Sequence, residues 1–296
     1  MFINLVKKSF FDIVKNPIIA LFLVLYFIVS GLLIGTLGSL HGNLTIQLAL
    51  AVTAFAFIAI FTAGWLGVIK EVSVKKTEEE KEKGYVSIFL ESIGENIVPF
   101  LLGLIIYCVF LAGCIYGAYF LAIKYFGNPQ EIIMGAQASQ DLMTYINSLS
   151  QEELEKLYAF PILFAIFSSV CMFLFMYYFP SMIFSEEKDI YKRAFIGFYD
   201  NFRFLFKHFF KSVLIFLFLF VIYAGFSIVK NLCLFYMQSY PYFIEILAVL
   251  FIFFIIYFMS FAVMLICNYY GENHSCNNGS DSLGEDKSDD KDGKED

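Results

Sequence analysis

The chain has 296 residues, of which 59% are hydrophobic, 20% are aromatic and only 16% are charged. Soluble globular domains average roughly 45–50% apolar and about 25% charged residues, so this composition excludes an ordinary soluble domain. The formal net charge of −7 is not spread along the chain, because the last 26 residues hold nine acidic side chains and three lysines.

Six stretches are long and apolar enough to cross a bilayer. A hydrocarbon core of about 30 Å requires roughly 20 apolar residues in a helix, and five of the six stretches contain no Asp, Glu, Lys or Arg. The predicted spans are Pro17–Leu37, Ile46–Ile69, Ile97–Ile123, Leu157–Phe184, Ser212–Val229 and Tyr242–Asn268. We therefore predict an all-α integral membrane protein with a six-helix membrane domain over residues 1–270.

The basic residues indicate how these spans are oriented. Seventeen of the twenty Lys and Arg residues lie in the N-terminal arm, the second and fourth connections and the C-terminal tail. The remaining three are Lys124, Lys156 and Lys230. Because cytoplasmic loops carry an excess of basic residues, we predict that both termini are cytoplasmic and that the protein lies in the cytoplasmic (plasma) membrane.

Three segments have the pattern of amphipathic helices that lead into an outgoing span. They are Phe2–Asn16, Tyr85–Asn96 and Tyr191–Lys207, in which apolar residues recur at helical spacing between charged ones. Helices of this kind lie in the headgroup plane and bury their apolar face. We predict three cytoplasmic in-plane helices, each followed by an outward span and a returning one.

The third of these segments lies within the cationic and aromatic stretch Lys188–Lys211, where six cations alternate with Phe and Tyr residues. Each cation near an anionic membrane surface contributes about 1 kcal/mol to binding. The candidates for contact with lipid headgroups are Lys192, Arg193, Arg203 and Lys207. The alternative is that these cations only set the orientation of the spans.

A single carboxylate, Glu245, lies within the predicted spans. Ionisable residues inside a membrane often mark a transport pathway, so Glu245 is a possible pathway residue that would pair with Lys230 or Lys124. The alternative is a carboxylate at headgroup level that reaches water, because Glu245 follows Pro241 near the predicted outer interface.

Two glycine pairs follow the small-x-x-x-small pattern, Gly31 with Gly35 and Gly113 with Gly117. Glycine lets two helix backbones approach closely in a membrane. We expect these four residues to pack helices within the chain, and contact between copies of the chain is the alternative.

The outer connection Gly127–Lys156 is thirty residues long. Within it, Ser150 and Glu153 have the spacing of a capping box, which predicts a helix that begins at Gln151. Met134–Ile146 is a second candidate helix, either a lid over a cavity or part of a surface loop.

No pattern for catalysis, a cofactor or nucleic acid stands out. His274 and Cys276 would supply two metal ligands, whereas a zinc site generally needs four. We therefore predict no catalytic, cofactor-binding or metal site and no nucleic-acid partner. The acidic tail over residues 271–296 is predicted to be disordered in the cytoplasm, as a solvating segment or as a docking peptide for a protein partner.

The in-plane helices with their Asn and Pro residues, together with Ala63-Gly64-Trp65-Leu66-Gly67 before a charged loop, resemble the layout of uncharacterised prokaryotic six-span proteins. These are similar to the membrane domain found beside glycerophosphodiester phosphodiesterases. The resemblance covers Phe2–Tyr269. Because the acidic tail stands where a phosphodiesterase domain would follow, the resemblance implies no catalytic role and assigns no functional residue.

These features together favour a polytopic membrane protein with a non-enzymatic role, whose partners are membrane lipids or a scaffolded protein. The in-plane helices and the absence of a catalytic motif carry this expectation. A transporter or permease for a lipid or an apolar solute is the alternative.

Overall fold

The computed structural model describes residues 2–39, 44–74, 84–128, 132, 134–135, 145, 148–236 and 241–281. Of these residues 93% are helical and none lies in a strand. In chain order the long helices are α1 Phe2–Lys15, α2 Ile18–Ser39, α3 Leu44–Ser73, α4 Tyr85–Phe126, α5 Gln151–Leu174, α6 Tyr178–Phe184, α7 Ile190–Lys207, α8 Phe209–Tyr236 and α9 Pro241–Asp281. The all-helical prediction is confirmed.

Five or six of these elements are long and apolar enough to span a membrane. Five qualify on their own, namely α3, α4, α5 with α6, α8 and α9, and the bent pair α1–α2 adds a sixth if it is counted as one span. In the most apolar window of each of the five, only 11–22% of the residues are buried inside the protein. Since apolar side chains avoid water, such surfaces require a surrounding apolar phase.

The first predicted in-plane helix is confirmed as a separate element. Helix α1 meets α2 at an angle of 72°. Pro17 lies in this elbow, where it lacks a backbone N–H and disfavours helical geometry at Asn16. The local sequence therefore explains the break between the two helices.

The second predicted in-plane helix is not a separate element. Residues Tyr85–Asn96 form the beginning of α4, which continues without a break for 42 residues and contains Pro99. The prediction ended the in-plane helix at Asn96 and began the span at Ile97, whereas in the structure α4 continues through both residues and past Pro99.

The predicted span Leu157–Phe184 is interrupted rather than continuous. Helix α5 ends at Leu174, a turn covers residues 175–177, and α6 begins at Tyr178. The predicted capping box is present, because Ser150 accepts from the Glu153 amide and the Glu153 carboxylate accepts from the Ser150 amide. The predicted helix Met134–Ile146 lies largely outside the described residues.

The predicted disordered tail begins too early in the sequence. Helix α9 continues through Gly271 to Asp281. Glu272 forms an ion pair with Lys8 at 2.7 Å, and the His274 ring stacks on Tyr270. These contacts attach the first residues of the acidic segment to the rest of the helix bundle, and residues 282–296 lie outside the described part of the chain.

The helices group into two compact units. The first unit comprises residues 1–101 and 177–296, where α1 packs on α9, α2 on α3 and α6 on α7. The second comprises residues 102–176, where the later part of α4 packs on α5 through ring contacts such as Tyr119 with Phe160 and Phe110 with Phe175. The candidate sites described below all lie in the first unit.

Candidate functional site

Helix α7 has a defined capping residue at each end, Asp189 before its first turn and His208 after its last. The Asp189 carboxylate accepts hydrogen bonds from the backbone N–H groups of Tyr191 and Lys192, at 3.0 and 3.3 Å. An acidic cap of this kind satisfies amide groups that have no partner in the first helical turn. At the other end, His208 separates α7 from α8 by a single residue. The result is an 18-residue amphipathic element, as the sequence predicts.

One side of α7 is packed against the protein. Its buried residues are Ala194, Gly197, Asn201, Phe204 and Leu205. At Gly197 the backbone contacts α6 directly, because the Ser181 hydroxyl donates to the Gly197 carbonyl at 2.6 Å. A side chain at Gly197 would overlap Met182. Small residues on this side therefore bring α7 close to α6.

The opposite side of α7 is exposed and combines positive charge with aromatic surface. Lys192, Arg203 and Lys207 are exposed and lie along one stripe, since eleven residues make about three helical turns; we call these three residues the cationic face. The aromatic stripe beside it consists of Tyr191, Phe195, Tyr199 and Phe206, each 63–68% exposed. Aromatic rings and cations on one exposed helix side are typical of helices that lie in a membrane interface.

Arg193 behaves differently from the other three predicted headgroup contacts. Its Nε and Nη2 atoms donate to the Glu187 carbonyl at 2.9 and 2.7 Å. Its Nη1 donates to Asn96 Oδ1 at 2.8 Å and to the Glu95 carbonyl at 3.4 Å. Pro99 has no N–H with which to bond the Glu95 carbonyl four residues earlier, so Arg193 supplies that missing donor. The Arg193 guanidinium therefore bonds protein acceptors, whereas Lys192, Arg203 and Lys207 are exposed.

A buried hydrogen-bond chain holds α7 at the break between α5 and α6. Asn201 Oδ1 accepts from the backbone N–H of Tyr177 at 3.0 Å, and the Tyr177 hydroxyl lies 3.0 Å from Ser212 Oγ. All three residues have no exposed surface. A buried polar group is costly unless it is hydrogen-bonded. Asn201 supplies an acceptor for the Tyr177 amide, which lies in the turn between α5 and α6.

Aromatic rings surround that chain. The Phe204 ring lies 4.8 Å from Tyr177, 4.6 Å from Tyr270 and 4.5 Å from His208, and 5.7 Å from Tyr269. Ring pairs at such separations contribute roughly 0.5–1.5 kcal/mol each beyond their buried area. The packed side of α7 is therefore a rigid support for its exposed side.

Two ionisable groups at α7 have shifted pKa values. Burial raises the pKa of Asp200 above its ordinary value, although His274 and Arg203 nearby oppose this shift. Burial also lowers the pKa of His208, and the charges of Lys207 and Lys211 act in the same direction. Burial and neighbouring positive charge both disfavour the charged imidazolium, so the surroundings of His208 favour its neutral form.

Helix α1 is anchored on the last helix through one polar stripe. Its buried residues are Leu5, Ser9 and Ile13. Asn268 Nδ2 donates to Ser9 Oγ at 3.0 Å and to an Asp12 carboxylate oxygen at 3.2 Å. The predicted apolar side of α1 is thus only partly correct, because Phe10 is 56% exposed whereas Ser9 is fully buried.

A groove of about 530 Å³ lies beside the elbow between α1 and α2. We call it the elbow groove. Lys15, Asn16 and Tyr85 line its polar end, where the Tyr85 hydroxyl donates to Asn16 Oδ1. The remaining lining comes from α2 and α9 and is largely apolar. The groove therefore has a cationic end at Lys15 and apolar walls formed by α2 and α9.

The predicted pathway residue Glu245 is the fifth residue of α9 and is exposed. Within the described residues its carboxylate has no ion pair or hydrogen bond. Pairing of Glu245 with Lys230 is therefore not seen in the described residues, and the other alternative, a carboxylate at headgroup level, stays a prediction.

Of the four predicted packing glycines, Gly117 faces another helix, because a Cβ there would contact Phe167 of α5 at 3.8 Å. A Cβ at Gly31, Gly35 or Gly113 would meet nothing within 4 Å among the described residues. The alternative prediction, contact with another copy of the chain, stays open for these positions. Close approaches occur at glycines outside the pattern, among them Gly64, Gly67 and Gly197.

Sequence reasoning missed the residues that support α7, above all Tyr177, Asn201 and Ser212. Ser212 begins a predicted span, Tyr177 lies inside another, and Asn201 lies inside the amphipathic segment, so the position of none of the three marks a site. Their roles depend on partners 24 and 35 residues away. No local spacing in the sequence could have identified such pairs.

The fold defines an all-helical protein with five or six helices that could span a membrane. No group of three or more metal-ligating side chains occurs in the part of the chain that the structure describes. Comparison with protein-family models, curated proteins and solved structures finds no match for this chain. The resemblance to the phosphodiesterase-associated membrane domain therefore stays a prediction.

Proposed function

We propose that this chain is a six-span protein of the cytoplasmic membrane, with both termini in the cytoplasm, that associates with anionic lipids in a non-enzymatic role. The spans would be α2, α3, α4, α5 with α6, α8 and α9. The observation that carries the proposal is the exposed side of α7, where the cationic face adjoins the aromatic stripe.

The proposed orientation is supported by contacts between segments that the charge pattern assigns to the cytoplasm. Lys8 of α1 pairs with Glu272 near the end of α9. The Lys70 amine at the end of α3 donates to the Ile183 carbonyl at the end of α6, at 2.8 Å. Segments that meet in this way must lie on one side of a membrane.

Lipid association is supported by how α7 is held. Its packed side is anchored through Asn201 and Gly197, so the exposed side keeps a fixed direction. Apolar rings can enter the boundary between headgroups and acyl chains, while cations beside them remain near phosphate groups. The exposed side of α7 has such rings in the aromatic stripe and such cations in the adjoining cationic face.

Neutralisation of the cationic face tests the proposal. The variant carries Lys192→Gln, Arg203→Gln and Lys207→Gln, and the matched control carries Lys124→Gln, Lys156→Gln and Lys230→Gln, which removes three charges from the predicted opposite side. Each near-surface cation contributes about 1 kcal/mol, or about fivefold in affinity. We expect the variant to bind phosphatidylglycerol at least tenfold more weakly and the control to bind like the unmodified chain.

The measurement is native mass spectrometry of the full chain in detergent, titrated with phosphatidylglycerol and, separately, with phosphatidylcholine. The difference between the two lipids should shrink at high salt, because salt screens exposed charges. Equal affinities of the variant and the unmodified chain for phosphatidylglycerol would mean that the cations serve orientation alone, and the proposal would be wrong.

A further inference from the structure

We infer that the elbow groove is a binding site for one anionic glycerophospholipid, with the phosphate near Lys15 and an acyl chain along the walls formed by α2 and α9. The inference rests on the proposed lipid association, but it assigns a second and more specific site. Its position, at the junction of α1, α2, α4 and α9, is separate from the cationic face of α7.

The elbow groove is large enough to hold part of a ligand. Its volume of about 530 Å³ lies within the roughly 300–1,000 Å³ of small-molecule sites. Its walls are apolar side chains of two helices that could span a membrane, Leu21 and Val24 of α2 and Phe253 and Ile256 of α9. A molecule in the groove must therefore match an apolar wall over most of its length.

The groove is open toward the surroundings of the two helices. Leu21 is 58% exposed and Phe253 is 53% exposed, whereas Ile256 is 2% exposed and forms the floor. If α2 and α9 span the membrane, this opening faces the acyl chains of the bilayer. A lipid could enter sideways, while a water-soluble metabolite would have no apolar part for the walls to contact.

The polar end of the groove selects for negative charge. Within the described residues, the Lys15 amine has no hydrogen bond or ion pair and no acidic side chain lines the groove. Ile18, Ala20 and Leu21 at the start of α2 also line the groove, and none of them carries a charge. An anionic lipid headgroup would complement the positive charge of Lys15.

The polar end is also held in place from two elements. Asn16 Nδ2 donates to the Asp12 carbonyl at 2.7 Å, and Asn16 Oδ1 accepts from the Tyr85 hydroxyl. Tyr85, the first residue of α4, is thereby tied to the elbow. A headgroup at Lys15 would meet a fixed set of polar atoms rather than a mobile loop.

Two substitutions test the two ends of the site, each with a matched control. Lys15→Gln removes the charge at the polar end, and Lys7→Gln removes another exposed α1 cation that does not line the groove. Leu21→Trp fills the groove, and Leu25→Trp places the same ring on an exposed position of α2 outside it. Thermal unfolding of all four variants verifies that the fold is retained.

The readout is retention of phosphatidylglycerol by the full chain in native mass spectrometry. We expect one tightly held lipid in the unmodified chain, about fivefold weaker binding in Lys15→Gln, and loss of that lipid in Leu21→Trp. The controls should retain it. Retention in both groove variants, or equal loss in the controls, would overturn the inference. The inference would also be overturned if inorganic phosphate displaced phosphatidylglycerol and Leu21→Trp left its retention unchanged. In that case no acyl chain would lie against the groove walls.

The proposal for the elbow groove and the proposal for the cationic face can be contradicted independently of each other. The tightly held lipid should survive neutralisation of Lys192, Arg203 and Lys207, because none of these residues lines the groove. The tenfold loss expected for that variant concerns the further lipid molecules that bind during the titration. If that triple variant binds lipid normally while Lys15→Gln loses its lipid, the cationic face is wrong and the groove stands. The reverse result would retain the cationic face and overturn the groove.

Discussion

At the scale of single residues, the fold depends on a few polar side chains that serve distant backbone groups. Arg193 satisfies a carbonyl that Pro99 leaves without its usual partner, and Asn201 accepts from the Tyr177 amide in the turn between α5 and α6. Unpaired polar groups are costly wherever water is scarce. Such residues make both the continuity of α4 and the interruption between α5 and α6 possible.

Arg193→Gln should destabilise the protein by about 1–3 kcal/mol, because it removes charge-assisted hydrogen bonds from buried and half-buried acceptors. Its neighbour Lys192 is exposed and makes only an ion pair with Asp189 at 3.7 Å, so Lys192→Gln is a matched control with an expected change within about 0.5 kcal/mol. Thermal unfolding in detergent measures both. Equal midpoints for the two variants would contradict the structural role of Arg193.

At the scale of helices, close packing is set by contacts that the glycine patterns did not reveal. Gly67 of α3 lies against Ser92 of α4, whose hydroxyl donates to the Ala63 carbonyl at 2.8 Å. Gly31 belongs to a recognisable small-residue pair, yet it meets open space. The pattern identifies a helix side on which another helix could approach, and only the tertiary fold decides whether one does.

Gly67→Ala should lower stability by about 1–3 kcal/mol, the usual range for overpacking a tight contact, because its Cβ would overlap the Ser92 side chain. Gly31→Ala is the control and should leave the unfolding midpoint unchanged or slightly higher, since alanine favours helix. Adding Ser92→Gly to Gly67→Ala should recover part of the loss. Equal effects of Gly67→Ala and Gly31→Ala would show that α3 and α4 do not approach each other at this point.

Several elements could be predicted from the sequence, for local reasons. Helix α1 ends where Pro17 forbids its continuation, α5 begins at the Ser150 capping box, and α7 has strict amphipathic spacing. The break at residues 175–177 precedes Pro180, which has no N–H for the Met176 carbonyl four residues earlier. What the sequence does not show is how the Tyr177 amide is satisfied, because its acceptor, Asn201, lies on another helix. The helical continuation past Gly271 likewise depends on long-range contacts with Lys8.

The candidate sites were predictable only in part. The charge and aromatic content of α7 can be read from the sequence, and Lys192, Arg203 and Lys207 do lie together on its exposed side. The sequence cannot distinguish them from Arg193, because that distinction depends on Glu187 and Asn96. The elbow groove had no signature at all, since its walls come from helices more than 200 residues apart.

At the scale of the whole molecule, one arrangement accounts for both the charge pattern and the packing. Segments rich in lysine and arginine meet one another in the first unit, through contacts such as Lys8 with Glu272 and Lys70 with Ile183. Charged side chains resist crossing the hydrocarbon core, so a shared side for these segments is what a membrane would impose. Both proposed lipid contacts depend on that arrangement.

Labelling of single cysteines from each side of the membrane tests this arrangement most directly, in a chain whose native cysteines are replaced. Cysteines at positions 192 and 272 should react with an impermeant maleimide only from the cytoplasmic side, and cysteines at positions 124 and 230 only from the opposite side. Labelling of position 192 from outside, or of positions 192 and 230 from the same side, would contradict the six-span account.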